Sequence, residues 1–355
     1  MDVTKFYFVG ICLVSYVCSW LAERTNKRVY MFISGVILVF YSGLRDISVG
    51  IDTKTYYYNF LKIKNGVKVY INEKPFVIIV RFLFNIFDDP TAILFIMSAI
   101  TIGLFYFSFW KLKDEYSISW MVLIFIFFYF ARSMNISRQY LAWSIVFYAI
   151  TCLFQQKIIK SCVFIIIAMC IHLSAVVSFA ILGLYLLQDE TRKKNKFKTV
   201  FLLLVLSGSL LSGSILSFIQ ESYSRYYRFE LSRIGLLSLY KILILLGIII
   251  LAKRNIIITF GSRKTYNELI EIDKRVVLLY IVGILFDSLS YFSSYTSRLG
   301  LFFLSFELLF WGRLLKAKTN TTLYKFALLV MLIYLYANNI IGDGYGIFPY
   351  STVFR

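Results

Sequence analysis

An all-α, polytopic membrane protein is the fold class that the sequence predicts, and three observations predict it. Hydrophobic residues fill 59% of the 355 positions and aromatic residues 19%, with a mean hydropathy of +0.75. No soluble domain of this size buries that much apolar surface. The apolar residues fall in long runs joined by short polar connections, and only three prolines occur in the chain. Backbone in lipid must satisfy its own hydrogen bonds, so each run reads as a helix.

The series begins with Phe6 to Leu21. Asp2 accompanies Lys5 where a secretory signal would carry a basic segment, and no small-x-small cleavage site precedes Glu23, so this run reads as a retained first helix. A hydrocarbon core of ~30 Å takes ~20 helical residues, fewer where a helix is irregular or buried by neighbours. By that measure spans fall near residues 6–22, 29–44, 91–110, 117–131, 138–155, 161–171, 173–187, 199–217, 235–252, 276–291, 298–315 and 323–341. That makes about 12 transmembrane helices.

Two stretches require a choice. Glu73 to Phe87 is apolar but short and runs into Asp88-Asp89-Pro90. A crossing there would invert every later loop, so residues 73–87 read as a re-entrant or interfacial helix. Residues 161–187 could form one tilted helix, but two short helices meeting at His172 keep the basic cluster at 192–198 with the other basic loops.

Those loops set the orientation. Arg24, Lys27 and Arg28, Lys111 and Lys113, Lys157 and Lys160, Arg192 to Lys198, Lys253 to Lys264, and Arg313 to Lys318 all fall on one side, the cytoplasmic one. Both termini and the loops 45–90, 132–138, 218–234 and 342–355 then lie outside. No internal repeat or low-complexity linker divides the chain, so residues 1–355 form a single transmembrane domain.

The formal charge of +19 is absorbed by these basic loops, and no nucleic-acid partner is needed to explain it. The five cysteines lie inside apolar runs without metal-ligand spacing and read as small core residues. No metal and no cofactor is expected.

What topology leaves unexplained is a set of outer arginines: Arg45, Arg81, Arg132, Arg138, Arg225, Arg228, Arg233 and Arg298. These positive charges stand on the wrong side for the orientation rule. A planar guanidinium offers paired donors that suit phosphate oxygens, so a lipid pyrophosphate is the natural ligand of the set. Any single member could equally snorkel to phospholipid phosphates.

Around them stand groups capable of proton transfer. Asp52 and Glu73 flank the first outer loop, and either could deprotonate a sugar hydroxyl or hold an arginine. His172, the only histidine, sits at the expected helix break beside Ser174, where it could contact a phosphate or relay a proton; the bland alternative is a hydrogen-bonded core group. Arg138-Gln139 opens a helix after Asn135 and Ser137. A cation in a first turn opposes the helix macrodipole, and a bound anion would repair that. Asp287 lies within an apolar span and is read as structurally paired, with Arg298 as a partner in reach. Tyr56 and its neighbours suit stacking on sugar rings as well as an interfacial belt.

The ordered set has a resemblance. Arg45, then Val49-Gly50-Ile51-Asp52-Thr53 and Tyr56, then Glu73 and Phe76, then Arg138-Gln139, then His172-Leu173-Ser174-Ala175 resembles the EpsG-like, Wzy-type membrane polymerases of bacterial surface polysaccharides. Order and spacing agree over roughly residues 40–180, although Glu73-Lys74-Pro75-Phe76 departs from the glutamate-proline-glycine form of such proteins. The resemblance implies a GT-C-like fold in the bacterial inner membrane, with the site facing the periplasm or cell exterior. It implies a metal-independent glycosyltransferase: a growing O-antigen or exopolysaccharide glycan leaves undecaprenyl pyrophosphate and joins the non-reducing end of a new lipid-linked repeat unit. Implied partners are that lipid-linked oligosaccharide, membrane lipids, a chain-length regulator and a flippase.

On this reading Asp52, Glu73, His172 and Arg138 are the candidate catalytic residues. Arg45, Tyr56, Arg132, Gln139, Arg225, Arg228 and Arg298 are the candidate substrate contacts. Asp52, Glu73 and His172 all remain open as the base. An O-antigen ligase would use the same chemistry but needs a larger outer loop. A lipid-linked oligosaccharide flippase or other transporter would line a cavity across both leaflets and usually shows repeat symmetry.

Overall fold

The computed structural model describes residues 3–69, 71–187, 240–243, 256–259, 270–288, 294–316 and 322–354. It is a mostly helical membrane protein. Three described helical stretches, Val3–Thr25, Pro90–Lys111 and Ile118–Asn135, are long and apolar enough to cross a membrane. Shorter apolar helices stand beside them at Arg28–Gly43, Ile158–Ile171, Leu173–Leu186 and Lys325–Tyr334. The expected span at 199–217, most of that at 235–252, and the loop 218–234 lie outside the described residues.

Helices α1 (Val3–Thr25) and α2 (Arg28–Gly43) form a hairpin that packs on α5 (Pro90–Lys111). Small and hydroxylated residues close the contact: Ser15 and Ser34 exchange hydrogen bonds and meet the Tyr106 hydroxyl, at 3.0 Å from Ser15. In lipid such polar bridges and close-packed small residues replace the hydrophobic drive to associate. α8 (Ser137–Phe154) runs through the centre, buried along nearly its whole length, between α5 and α9 (Ile158–Ile171).

The loop between α2 and α5 is more ordered than a loop. α3 (Thr53–Lys64) begins at Asp52 and buries Thr53, Phe60 and Ile63, a helical spacing hidden in a polar sequence. α4 (Lys74–Leu83) follows within the segment expected to be re-entrant or interfacial. It has ten residues, about half a bilayer core at ~1.5 Å per residue. Phe76 and Val80 face inward, whereas Ile78, Ile79 and Phe82 are exposed.

The expected span at 117–131 continues to Asn135. It comprises α6 (Ile118–Ile124), a π-helical turn over Phe125–Phe130 and α7 (Ala131–Asn135). A break at Ile136 (φ −92°, ψ 55°) separates α7 from α8. Residues 158–187 are broken at His172, which is extended (φ −151°, ψ 117°); a 3-10 turn at Leu173–Val177 leads into α10 (Ser178–Leu187).

Later in the chain, α11 (Lys274–Ser288) and α12 (Ser294–Phe303) cross closely. A Cβ on Gly300 would lie 2.9 Å from Phe286 Cβ, and one on Gly283 would lie 3.1 Å from the Phe303 backbone. The expected span at 298–315 is not one helix: it is interrupted at Leu304, after which α13 (Ser305–Lys316) begins. α14 (Thr322–Tyr336) ends in a π-helical turn over Ala337–Ile341. One short parallel pair, β1 (Ile256–Thr259) with β2 (Ile270–Asp273), departs from a purely helical chain. It falls between expected spans, where backbone partners need not be intrahelical.

The tail closes back on the first outer loop. Asp46 N–H donates to Ser351 O at 2.9 Å, Val353 N–H to Leu44 O at 3.0 Å and Gly50 N–H to Gly346 O at 2.7 Å. Tyr350 stacks on Tyr41 with ring centroids 4.1 Å apart.

Candidate active site

The site is built around the break between α7 and α8. A helix that stops at Asn135 leaves carbonyls without intrahelical donors, and the loop after α2 supplies them. Arg45 NH2 donates to Met134 O and to Ser137 Oγ, each at 3.0 Å, while NH1 donates to Ser42 O and reaches Ser98 Oγ at 3.3 Å. A cation at a helix C-terminus also complements the macrodipole. The Asp52 N–H donates to Asn135 Oδ1 at 2.8 Å. Gly50 is required where the loop touches the break: its φ is +92°, and a Cβ there would lie 2.8 Å from Thr53 Oγ1 and 3.2 Å from Met134 O.

Arg45 therefore departs from the role expected of it. It is 1% exposed, and both terminal nitrogens are spent on protein oxygens, so it does not reach a phosphate. Burial lowers its pKa to about 10, so it keeps its charge at neutral pH. Its work is to fix the Asp52 loop to the residues that precede Arg138.

Arg138, in the first turn of α8, pairs with Glu73 at the start of α4, NH1 to Oε2 at 3.3 Å. Both side chains are largely shielded, at 17% and 8% exposure. The other Glu73 oxygen accepts the Leu173 N–H at 2.8 Å. One carboxylate thus joins α4, α8 and the break after α9. The guanidinium of Arg138 also lies 5.5 Å from the centre of the Phe76 ring.

His172 completes this corner. Burial first, then the charges of Arg138 and Arg298, push the imidazole down to about 4, against the opposing charge of Glu73. Asp52 does not cap α3 with its side chain. Burial raises its pKa and the nearby Arg298 lowers it. Burial likewise raises the Tyr56 hydroxyl, which lies within the fields of Arg138, Asp52 and Arg298. Arg298 itself is exposed, on α12.

Asp52, Tyr56, Glu73, Arg138, His172 and Arg298 are thus brought together from five separate segments. Gln139 and Arg132 stand behind them and tie α12 in place: Gln139 Nε2 donates to Arg298 O at 2.7 Å, and Arg132 NH2 to Ser297 Oγ at 2.9 Å. Each thereby supports α12. Asp287 acts on Arg132. Arg225 and Arg228 lie outside the described residues.

Sequence reasoning passed over a second polar centre. Glu307 on α13 is fully buried, pairs with Lys241 at 3.0 Å and accepts from Tyr280 Oη at 2.8 Å and from Tyr129 Oη. Tyr129 belongs to the π-helical turn. The signal was available: an acid inside an apolar span, the reasoning already applied to Asp287.

The family model for the EpsG family matches residues 28–352. No curated protein and no solved structure matches the chain. This protein belongs to the EpsG family, of the Wzy-type polysaccharide polymerases.

Proposed function

We propose that this EpsG-family chain extends a bacterial surface polysaccharide at the outer leaflet of the inner membrane, through a GT-C-like arrangement of about 12 spans in one domain. The growing glycan is carried on undecaprenyl pyrophosphate, and the acceptor is the non-reducing end of a lipid-linked repeat unit. The supporting observation is the convergence of Asp52, Tyr56, Arg138, His172 and Arg298 on one corner of the helix assembly.

In the transfer, the acceptor hydroxyl oxygen bonds to the anomeric carbon while the bond from that carbon to the pyrophosphate oxygen breaks. The electron pair leaves on the pyrophosphate and the hydroxyl proton passes to a carboxylate. Arg138 and Arg298 offset the charge that develops on the leaving group, an electrostatic contribution that needs no metal. Of the two acids, Glu73 is held by Arg138 and the Leu173 N–H, whereas the Asp52 side chain does not cap its helix. Asp52 is the base we favour, and Tyr56 beside it faces the acceptor sugar. A chain-length regulator and a flippase would act with the protein in the membrane.

Purified protein incubated with one defined lipid-linked repeat unit tests this. Products longer than the substrate support the reading, and unchanged substrate contradicts it.

A further inference from the structure

Neutral histidine carries its proton on one of two nitrogens, and the partners of one nitrogen decide the state of the other. At His172 the backbone N–H of Ser174 points at Nδ1 from 3.3 Å, and Ser174 Oγ lies 2.7 Å from the same nitrogen. A backbone amide only donates, so Nδ1 accepts. The proton of the neutral ring is then on Nε2. The Leu173 N–H is anchored on Glu73, so the backbone that presents the Ser174 N–H is held to the same carboxylate as Arg138.

We propose that His172 works through Nε2–H as a hydrogen-bond donor to an oxygen of the departing pyrophosphate, and that Ser174, through its backbone N–H, is the positioning residue that fixes this tautomer. Two cations, Arg138 and Arg298, share the surroundings of the imidazole with one carboxylate, Glu73, which is held by Arg138. A ring whose Nε2 already holds a proton does not take another there from a sugar hydroxyl. The base role then rests with Asp52. The identity of the anion rests on the polymerase reading; the tautomer does not.

His172 is the only histidine in the chain, so selective nitrogen labelling of histidine reports on this one ring. In the full-length protein in lipid nanodiscs at neutral pH, the spectrum should show Nε2 protonated and Nδ1 bare. A proton on Nδ1, or on both nitrogens, overturns the proposal. Ser174→Ala removes the hydroxyl but keeps the backbone N–H, so Nε2 should stay the protonated nitrogen; a shift of the proton to Nδ1 overturns the role given to the backbone amide.

Activity on a defined lipid-linked repeat unit gives the second readout. A glutamine amide can place an N–H near the position of Nε2 without titrating. His172→Ala should lose about a hundredfold in rate, the scale of one lost donor to a developing oxyanion, while His172→Gln should stay within about tenfold of wild type. Equal losses in the two variants overturn the donor role. If the wild-type protein makes no polymer, the polymerase reading fails, and the nitrogen spectrum still decides the tautomer.

Discussion

Glu73 and Arg138 meet at 3.3 Å between the start of α4 and the first turn of α8, and the second Glu73 oxygen holds the Leu173 N–H. The pair orients the guanidinium and fixes the backbone beside His172 together. Glu73→Ala and Arg138→Ala should therefore be non-additive in polymerisation rate, with a coupling of about 1–3 kcal/mol in a double-mutant cycle. Additive losses would mean that the two side chains act separately.

Arg45 and Arg138 are both outer arginines, yet they should fail differently. Arg45→Ala takes the donor from the buried Ser42 carbonyl, at about 1–3 kcal/mol for an unsatisfied group, and leaves the Met134 carbonyl to the Ser137 and Thr53 hydroxyls alone. Thermal stability in detergent should fall, with activity following the folded fraction. Arg138→Ala strands the shielded Glu73 carboxylate and should also lower the melting temperature, but its loss of polymerisation should exceed the loss of folded protein.

The pH dependence should separate the titrating groups. Asp52 serves as a base only when ionised, so the rate should fall as pH drops through its pKa. Arg298 lowers that pKa, so Arg298→Ala should move the acid limb to higher pH. His172, pushed down to about 4, is neutral from pH 5 upward, so His172→Gln should leave the limb where it is. A rate profile measured on wild type and both variants checks all three statements.

The buried Lys241–Glu307 pair offers a test of the second polar centre. Removing one partner strands the other charge, which typically costs about 3–5 kcal/mol. Lys241→Met should be strongly destabilising, and adding Glu307→Gln should recover part of the loss. Melting temperatures of the two single variants and the double variant give the comparison.

Much of the candidate site was legible in the sequence because its residues are anomalies there. Arg138 opens a helix where a cation is unfavourable, and His172 interrupts an apolar run at the break between α9 and the 3-10 turn. Direction was less legible. Arg45 looked like Arg138 in sequence, and only the broken end of α7 reveals why it turns inward to Met134 O. α3 was hidden because its buried positions, Thr53, Phe60 and Ile63, are separated by tyrosines and lysines that read as loop. The break at Leu304 has no proline; it lies beside Ser305, which accepts from Trp143 Nε1, and where Gly283 lets α11 approach the Phe303 backbone.

The most direct measurement is the product length made from one defined lipid-linked repeat unit by purified wild-type protein and by Asp52→Asn. The wild type should build a ladder of lengthening glycans, and a folded Asp52→Asn should leave the single unit. Absence of a ladder from the wild type, or a full ladder from Asp52→Asn, would contradict polymerisation with Asp52 as its base.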